Sequence, residues 1–178
     1  LSTQAETKYY IATMRPFGEE SLARIRRHQR LRAGKGFTTI EQSRDLTKAA
    51  QRIAKPSNQF QEEAVTINRP ENSVPFIRDT ALLECMSNLV ANEMFREDGF
   101  HPEVAERITE GVKNLLSQAK HVVIVTNEIF SDGILYGEES EQYKKELGQI
   151  NQKLAELAEE VVEVVYGIPV WHKGGKKA

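Results

Sequence analysis

Five arginines and one histidine crowd the nine residues from Arg24 to Arg32: Arg24, Arg26, Arg27, Arg30 and Arg32, with His28 among them. On a helix, residues four apart share a face, so Arg24, His28 and Arg32 would stack on one side. Flanking guanidinium groups disfavour a second positive charge, and the neutral imidazole is the nucleophilic form. Guanidinium groups also hold phosphate oxygens by bidentate hydrogen bonds. The pattern therefore suits a histidine that attacks a nucleotide phosphate, with Arg24 supporting the charge. The plain alternative is a solvated basic face on which His28 does nothing, the commoner fate of a charge run.

The elements that must position this helix read as follows. Tyr9–Met14 is an apolar run that predicts a buried strand. Pro16 breaks it, Gly18 with Glu19 and Glu20 opens the basic helix, and Gly34-Lys35-Gly36 ends that helix. Phe37–Glu41 predicts a short strand and Leu46–Ile53 a short helix. Residues 55–79 hold three of the six prolines (Pro56, Pro70, Pro75) and read as a long loop insertion. Thr80–Cys85 is a second apolar run, and Met86–Phe95 has helical spacing. Asp98-Gly99 predicts a turn. Val104, Ile108, Val112, Leu115 and Ala119 form one stripe, so Pro102–Ala119 predicts an amphipathic helix. His121–Glu128 predicts a strand, Ile129–Gly137 a loop and Glu139–Glu160 a long helix. Val161–Val170 reads as a final strand broken by Gly167 and Pro169, and residues 172–178 as a frayed tail.

Strands and helices alternate, which predicts a single α/β domain over residues 1–178 with a mainly parallel sheet. The unalternating apolar composition of Tyr9–Met14, Thr80–Leu83 and His121–Thr126 predicts that all three are interior strands. In such sheets ligands bind beyond the carboxyl ends of the strands. Thr13, Glu84, Thr126-Asn127-Glu128 and the His28 helix come from distant parts of the chain, and this topology brings them to one edge.

The totals bound the function. A chain of 178 residues with 39% hydrophobic and 28% charged content fits one globular domain. The net charge of −2 argues against general nucleic-acid binding. A single cysteine, Cys85, excludes an internal disulfide and points to a reducing, cytoplasmic setting. No apolar run approaches the ~20 residues that span a bilayer. The sequence begins at Leu1 without an initiator methionine, so the expectation is a fragment or a chain whose first segment was removed.

Glu84 ends an apolar strand in the manner of an acid that holds Mg²⁺, directly or through water; equally, it suits the cap of the following helix. Glu128 carries the same ambiguity. Glu41 follows a strand and suits a ribose or base edge. Cys85 reads as a small buried hydrophobe, and Trp171 as packing on a sheet edge. His101, His121 and His172 lack partners at metal-ligand spacing, so no zinc site is expected. G-x-x-x-x-G-K-[ST] does not occur in the sequence, and neither Gly34-Lys35-Gly36 nor Gly174-Gly175-Lys176-Lys177 follows a strand as a phosphate loop does.

Five motifs then occur in order: Y-I-A-T at Tyr10–Thr13, R-I-x-x-H at Arg24–His28, L-L-E-C at Leu82–Cys85, V-T-N-E at Val125–Glu128 and N-Q-K-L-A at Asn151–Ala155. Together they resemble the bifunctional adenosylcobinamide kinase / adenosylcobinamide-phosphate guanylyltransferase family of cobalamin biosynthesis. The resemblance implies a three-layer RecA-like P-loop NTPase fold, here without its first strand and Walker A loop, which would precede Leu1. It implies phosphorylation of adenosylcobinamide by a nucleoside triphosphate, then transfer of GMP from GTP through a guanylylated histidine to give adenosylcobinamide-GDP. The family's histidine falls on His28, and its nucleotide contacts on Ile11, Ala12, Thr13, Gln29, Arg30, Leu31, Arg32, Glu41 and Glu84. GTP or ATP, Mg²⁺, adenosylcobinamide and a homotrimer are the implied ligands and assembly. The alternative is a noncatalytic nucleotide- or corrinoid-binding relative that has lost its phosphate loop.

Overall fold

The computed structural model describes residues 7–54 and 79–175. All of the predicted insertion except Asp79 lies outside them, as do the first six and the last three residues.

Two of the apolar runs become neighbouring strands. β1 (Lys8–Ala12) pairs with β3 (Thr80–Glu84) on one side and with β2 (Phe37–Glu41) on the other, all parallel. β3 pairs in parallel with β6 (His121–Val125), so the sheet order is β2-β1-β3-β6. The register sets Ile40, Ile11, Leu83 and Ile124 in one row across the sheet, with Tyr9, Ala81 and Val122 in the next row on the same face. Successive residues of a strand point to opposite faces, so Tyr10, Ala12 and Glu84 share the other face.

Four helices are rooted in the first face. They are α2 (Leu46–Ala54), α3 (Met86–Met94), α4 (Ala105–Gln118) and α5 (Glu138–Leu157). Met86, Leu89, Val90, Met94, Leu115, Leu147 and Ile150 are completely buried with Ile11 and Leu83 in a single core. The opposite face carries the basic helix, α1 (Gly18–Arg32), which buries none of its residues. Gly34 and Gly36, both at positive φ, turn the chain from α1 into β2. The result is the expected α/β layering around a parallel sheet.

Two buried carboxylates tie the helical layer together. Glu93 on α3 accepts a hydrogen bond from the Asp45 N–H just before α2 and pairs with Arg96 and Arg107. Glu146 on α5 accepts from the Val104 and Ala105 N–H groups at 3.0 and 2.9 Å. It thereby caps α4 from another helix, since a helix start leaves its first N–H groups without internal partners.

Several expectations are corrected. β6 is an edge strand among the described residues, not an interior one: its Val122 and Ile124 pack on the core, while Val123 and Val125 are 53% and 39% exposed. Helices cover only one of its faces, so an unalternating valine run is buried on one side only. α4 starts at Ala105 rather than Pro102, where Glu146 supplies the cap, and α5 ends at Leu157. The C-terminal run is an antiparallel hairpin, β7 (Val161–Val165) with β8 (Ile168–Lys173), separate from the main sheet. Tyr166 and Gly167 both take positive φ at its turn, the geometry that favours two-residue hairpins. β8 carries His172 and Lys173 within the strand, so the start of the expected frayed tail is ordered, and residues 176–178 lie outside the described residues. Trp171 is half exposed on β8 rather than packed on the main sheet edge. The remaining short pair, β4 (Phe95–Arg96) and β5 (Gly99–Phe100), closes over the predicted Asp98-Gly99 turn.

Glu146→Ala removes the acceptor for two buried N–H groups, each costing ~1–3 kcal/mol when left unmade. Urea unfolding should show a loss of at least ~2 kcal/mol, with Glu146→Gln retaining more than half of it. At Gly111 an added Cβ would lie 2.9 Å from the Leu46 Cβ where α4 crosses α2. Gly111→Ala should therefore destabilise by ~1–3 kcal/mol through overpacking, although alanine is the better helix former; a gain in urea midpoint would contradict this close approach.

Candidate functional site

The in-register pairing of β1 and β3 places Ala12 beside Glu84. One residue further on, the two chains are clamped. The Thr13 N–H donates to the Glu84 carbonyl at 3.1 Å. Its hydroxyl donates to the Cys85 carbonyl and accepts from the Cys85 N–H, both at 2.8 Å. Asn92 on α3 adds a second brace, donating to the Thr13 carbonyl at 2.8 Å and the Ser43 carbonyl at 3.1 Å. The loops leaving β1, β2 and β3 are thus fixed to one another at the carboxyl edge of the sheet.

Glu84 stands at this edge on the face that carries α1. One of its oxygens, Oε2, accepts the Tyr10 hydroxyl. The other, Oε1, lies 3.3 Å from His28 Nδ1. Both side chains remain partly open to solvent, 35% for His28 and 29% for Glu84. Arg32, one turn beyond His28, lays its guanidinium over the Tyr10 ring, 4.2 Å from the centroid. Burial, and then the Glu84 carboxylate that the hydroxyl serves, push the Tyr10 phenol well above its ordinary pKa. It therefore stays protonated as a donor.

Beside this cluster lies an open groove of about 610 Å³ lined by Gln29, Arg32, Ala33, Gly34, Gly36, Phe37, Thr39 and Glu41. That volume falls in the range of small-molecule sites. The groove thus adjoins the Arg32 guanidinium and presents the Glu41 carboxylate from the end of β2.

The structure gathers some of the expected residues and separates others. His28, Glu84, Arg32, Gln29 and Glu41 come together around the cluster and groove. Ile11 is wholly buried in the core, and Thr13, also wholly buried, commits its hydroxyl to Cys85. Arg24 turns away to Glu20 at 2.6 Å. Arg30 lines a second groove with Ala23, Arg26, Gln29 and Ala33, and Leu31 is exposed. Asn127 reaches the neighbourhood through Ser87, whereas Glu128 binds its own loop at Phe130 and Ser131. Tyr10 and Asn92 escaped the sequence reading. For Tyr10 the signal was present: in a strand beginning Tyr-Tyr, one ring enters the core and the next must face the other way.

Chemically, a carboxylate oxygen 3.3 Å from Nδ1 favours the tautomer that carries its hydrogen there, which would keep the Nε2 lone pair for attack. Glu84 accepts the Tyr10 hydroxyl on one oxygen and has His28 Nδ1 3.3 Å from the other. Among the described residues no group of three or more His, Cys, Asp or Glu side chains converges to hold a metal ion. No helix among them is long and apolar enough to cross a membrane.

The comparisons agree with this architecture. A family model described as cobinamide kinase / cobinamide phosphate guanyltransferase matches residues 1–68 and 51–171. The chain is 25% identical over 172 residues to the bifunctional adenosylcobalamin biosynthesis protein CobU of Escherichia coli (strain K12), spanning 90% of this chain and 83% of that protein. With a parallel sheet, a histidine-bearing helix over its carboxyl edge and a model match along most of its length, this chain belongs to the cobinamide kinase / cobinamide phosphate guanyltransferase family.

Proposed function

We propose that this chain works in cobalamin biosynthesis as a nucleotide-dependent kinase and guanylyltransferase acting on adenosylcobinamide, with His28 as the group that carries GMP. The observation that supports this most is the His28–Glu84 pair at the sheet edge, in which a carboxylate oxygen lies 3.3 Å from Nδ1 and the imidazole keeps 35% of its side chain open to solvent. In the transfer, Nε2 attacks the α-phosphorus of GTP. A P–N bond forms, the bond from phosphorus to the bridging oxygen breaks, and pyrophosphate leaves with that electron pair. The phosphate oxygen of adenosylcobinamide phosphate then attacks the same phosphorus, the P–N bond breaks, and neutral histidine returns. Positioning and charge stabilisation supply most of the catalysis in phosphoryl chemistry. Arg32 brings a permanent cation to the groove wall, and Glu41 with Gln29 offers hydrogen-bonding partners for a purine or ribose. Mg²⁺ enters this reading as the ion carried by the triphosphate.

The test uses the protein as the cell makes it, incubated with α-labelled GTP and Mg²⁺. The expected product is a covalent adduct that is acid-labile and alkali-stable, as a phosphorus–nitrogen bond to histidine is. His28→Ala should abolish it, and Glu84→Gln should slow its formation by about two orders of magnitude, the usual scale for losing one electrostatic partner. Label persisting in His28→Ala would reject the histidine. Tight nucleotide binding with no adduct in the wild type would favour a noncatalytic binding protein. The kinase half is read separately, by transfer of a γ-labelled phosphoryl group to adenosylcobinamide; its absence would reject that half alone.

A further inference from the structure

We propose that Tyr10 is a positioning residue for His28: its hydroxyl holds Glu84 in the orientation that presents the second carboxylate oxygen to His28 Nδ1. This rests on reading His28 as the nucleophile.

The sheet register makes the contact possible. Tyr10 pairs with Leu82 and Ala12 with Glu84, so Tyr10 and Glu84 lie diagonally across adjacent strands on the same face. Diagonal neighbours of that kind are ~7–8 Å apart at the backbone, within reach of an aromatic side chain. The hydroxyl is held in place rather than free to search. The Tyr10 ring is 6% exposed, meets Phe37 edge-on at 6.1 Å and 76°, and is roofed by the Arg32 guanidinium. A ring packed on two sides fixes where its oxygen lies. The donated hydrogen bond then engages one Glu84 oxygen, and the other is left for the imidazole. A tyrosine phenol is protonated at neutral pH and burial pushes its pKa further up, so the hydroxyl acts as a donor to the carboxylate.

Tyr10 itself touches neither phosphate nor imidazole in this arrangement; it acts through Glu84. The relation resembles that of outer partners that orient a ligating histidine, whose loss typically costs 10–100-fold in activity. Arg32 couples the same cluster to the groove, because the guanidinium that covers Tyr10 also lines the groove wall.

Tyr10→Phe is the discriminating variant, since it deletes the hydroxyl and keeps the ring against Phe37 and Arg32. Two readouts are taken on the whole protein with ¹⁵N-labelled histidine. The first is the ¹⁵N spectrum of His28 without nucleotide: the wild type should show the Nδ1–H tautomer, and Tyr10→Phe should show both tautomers. The second is single-turnover adduct formation with labelled GTP, expected to slow ~10–100-fold at saturating GTP, with its half-saturating concentration unchanged within twofold. Urea unfolding serves as the control for folding, and a Glu84→Ala protein gives the reference spectrum for an unoriented imidazole. An unchanged tautomer in Tyr10→Phe, or a rate within twofold of wild type, overturns the proposal. So does a defect confined to half-saturation. The tautomer readout needs no activity, so it judges the positioning even if the wild type forms no adduct and the proposed function fails.

Discussion

Desolvation of two adjacent strands is the constraint on which the rest of the structure depends. Ile11 and Leu83 are sealed from solvent on one face of β1 and β3, and fully burying such side chains is worth ~1.5–3 kcal/mol each. A parallel strand slipped by one residue would turn its core set outward. Burial of one face therefore fixes the register, and the register fixes which residues emerge together at the carboxyl edge. Ala12 beside Glu84, Thr13 against Cys85 and Tyr10 diagonal to Glu84 all follow from Ile11 lying beside Leu83. The site is thus a by-product of core packing on the opposite side of the sheet.

The three best-held carboxylates show how environment assigns work. Glu93 and Glu146 are almost inaccessible, and their partners are backbone N–H groups, arginines from neighbouring elements and, for Glu146, the Gln142 side-chain amide. They join the helices, and burial without those partners would be costly. Glu84 keeps an opening to solvent, and its partners are a phenol and an imidazole. Acidic character is common to all three; of them only Glu84 stands beside a histidine and keeps an opening to solvent.

Much of this was legible in sequence. Unalternating apolar runs marked β1 and β3, an apolar stripe marked α4, and the strand ends marked where residues from distant parts of the chain would meet. The exact use of each residue was not legible, because it depends on partners far along the chain. Thr13 looked available as a contact, yet Cys85, 72 residues away, takes its hydroxyl. Arg24 looked like a partner of His28 by helical spacing, yet Glu20 is equally spaced on its other side and carries the opposite charge. Valine-rich β6 looked interior because composition reports hydrophobicity and not which face a helix covers. The hairpin of β7 and β8 was hidden because Tyr166-Gly167 reads as an interruption until both residues are known to take positive φ.

Helix α1 has a consequence of its own. It fully buries no side chain, although Ile25 is half-buried, and its polar contacts with the sheet are those of His28 and Arg32 near its C-terminal end. Packing of an apolar face is what usually stabilises a helix in a protein, so α1 sits at the low end of the molecule's range of local opening free energies. Its backbone amides should trade hydrogen with solvent far sooner than those of α3 or α4. The His28 side chain therefore rides on an element with little apolar burial of its own. Whatever ligand bridges Arg32 and the sheet edge must supply the free energy of ordering that element from its own contacts, and affinity and alignment of the imidazole become a single linked quantity.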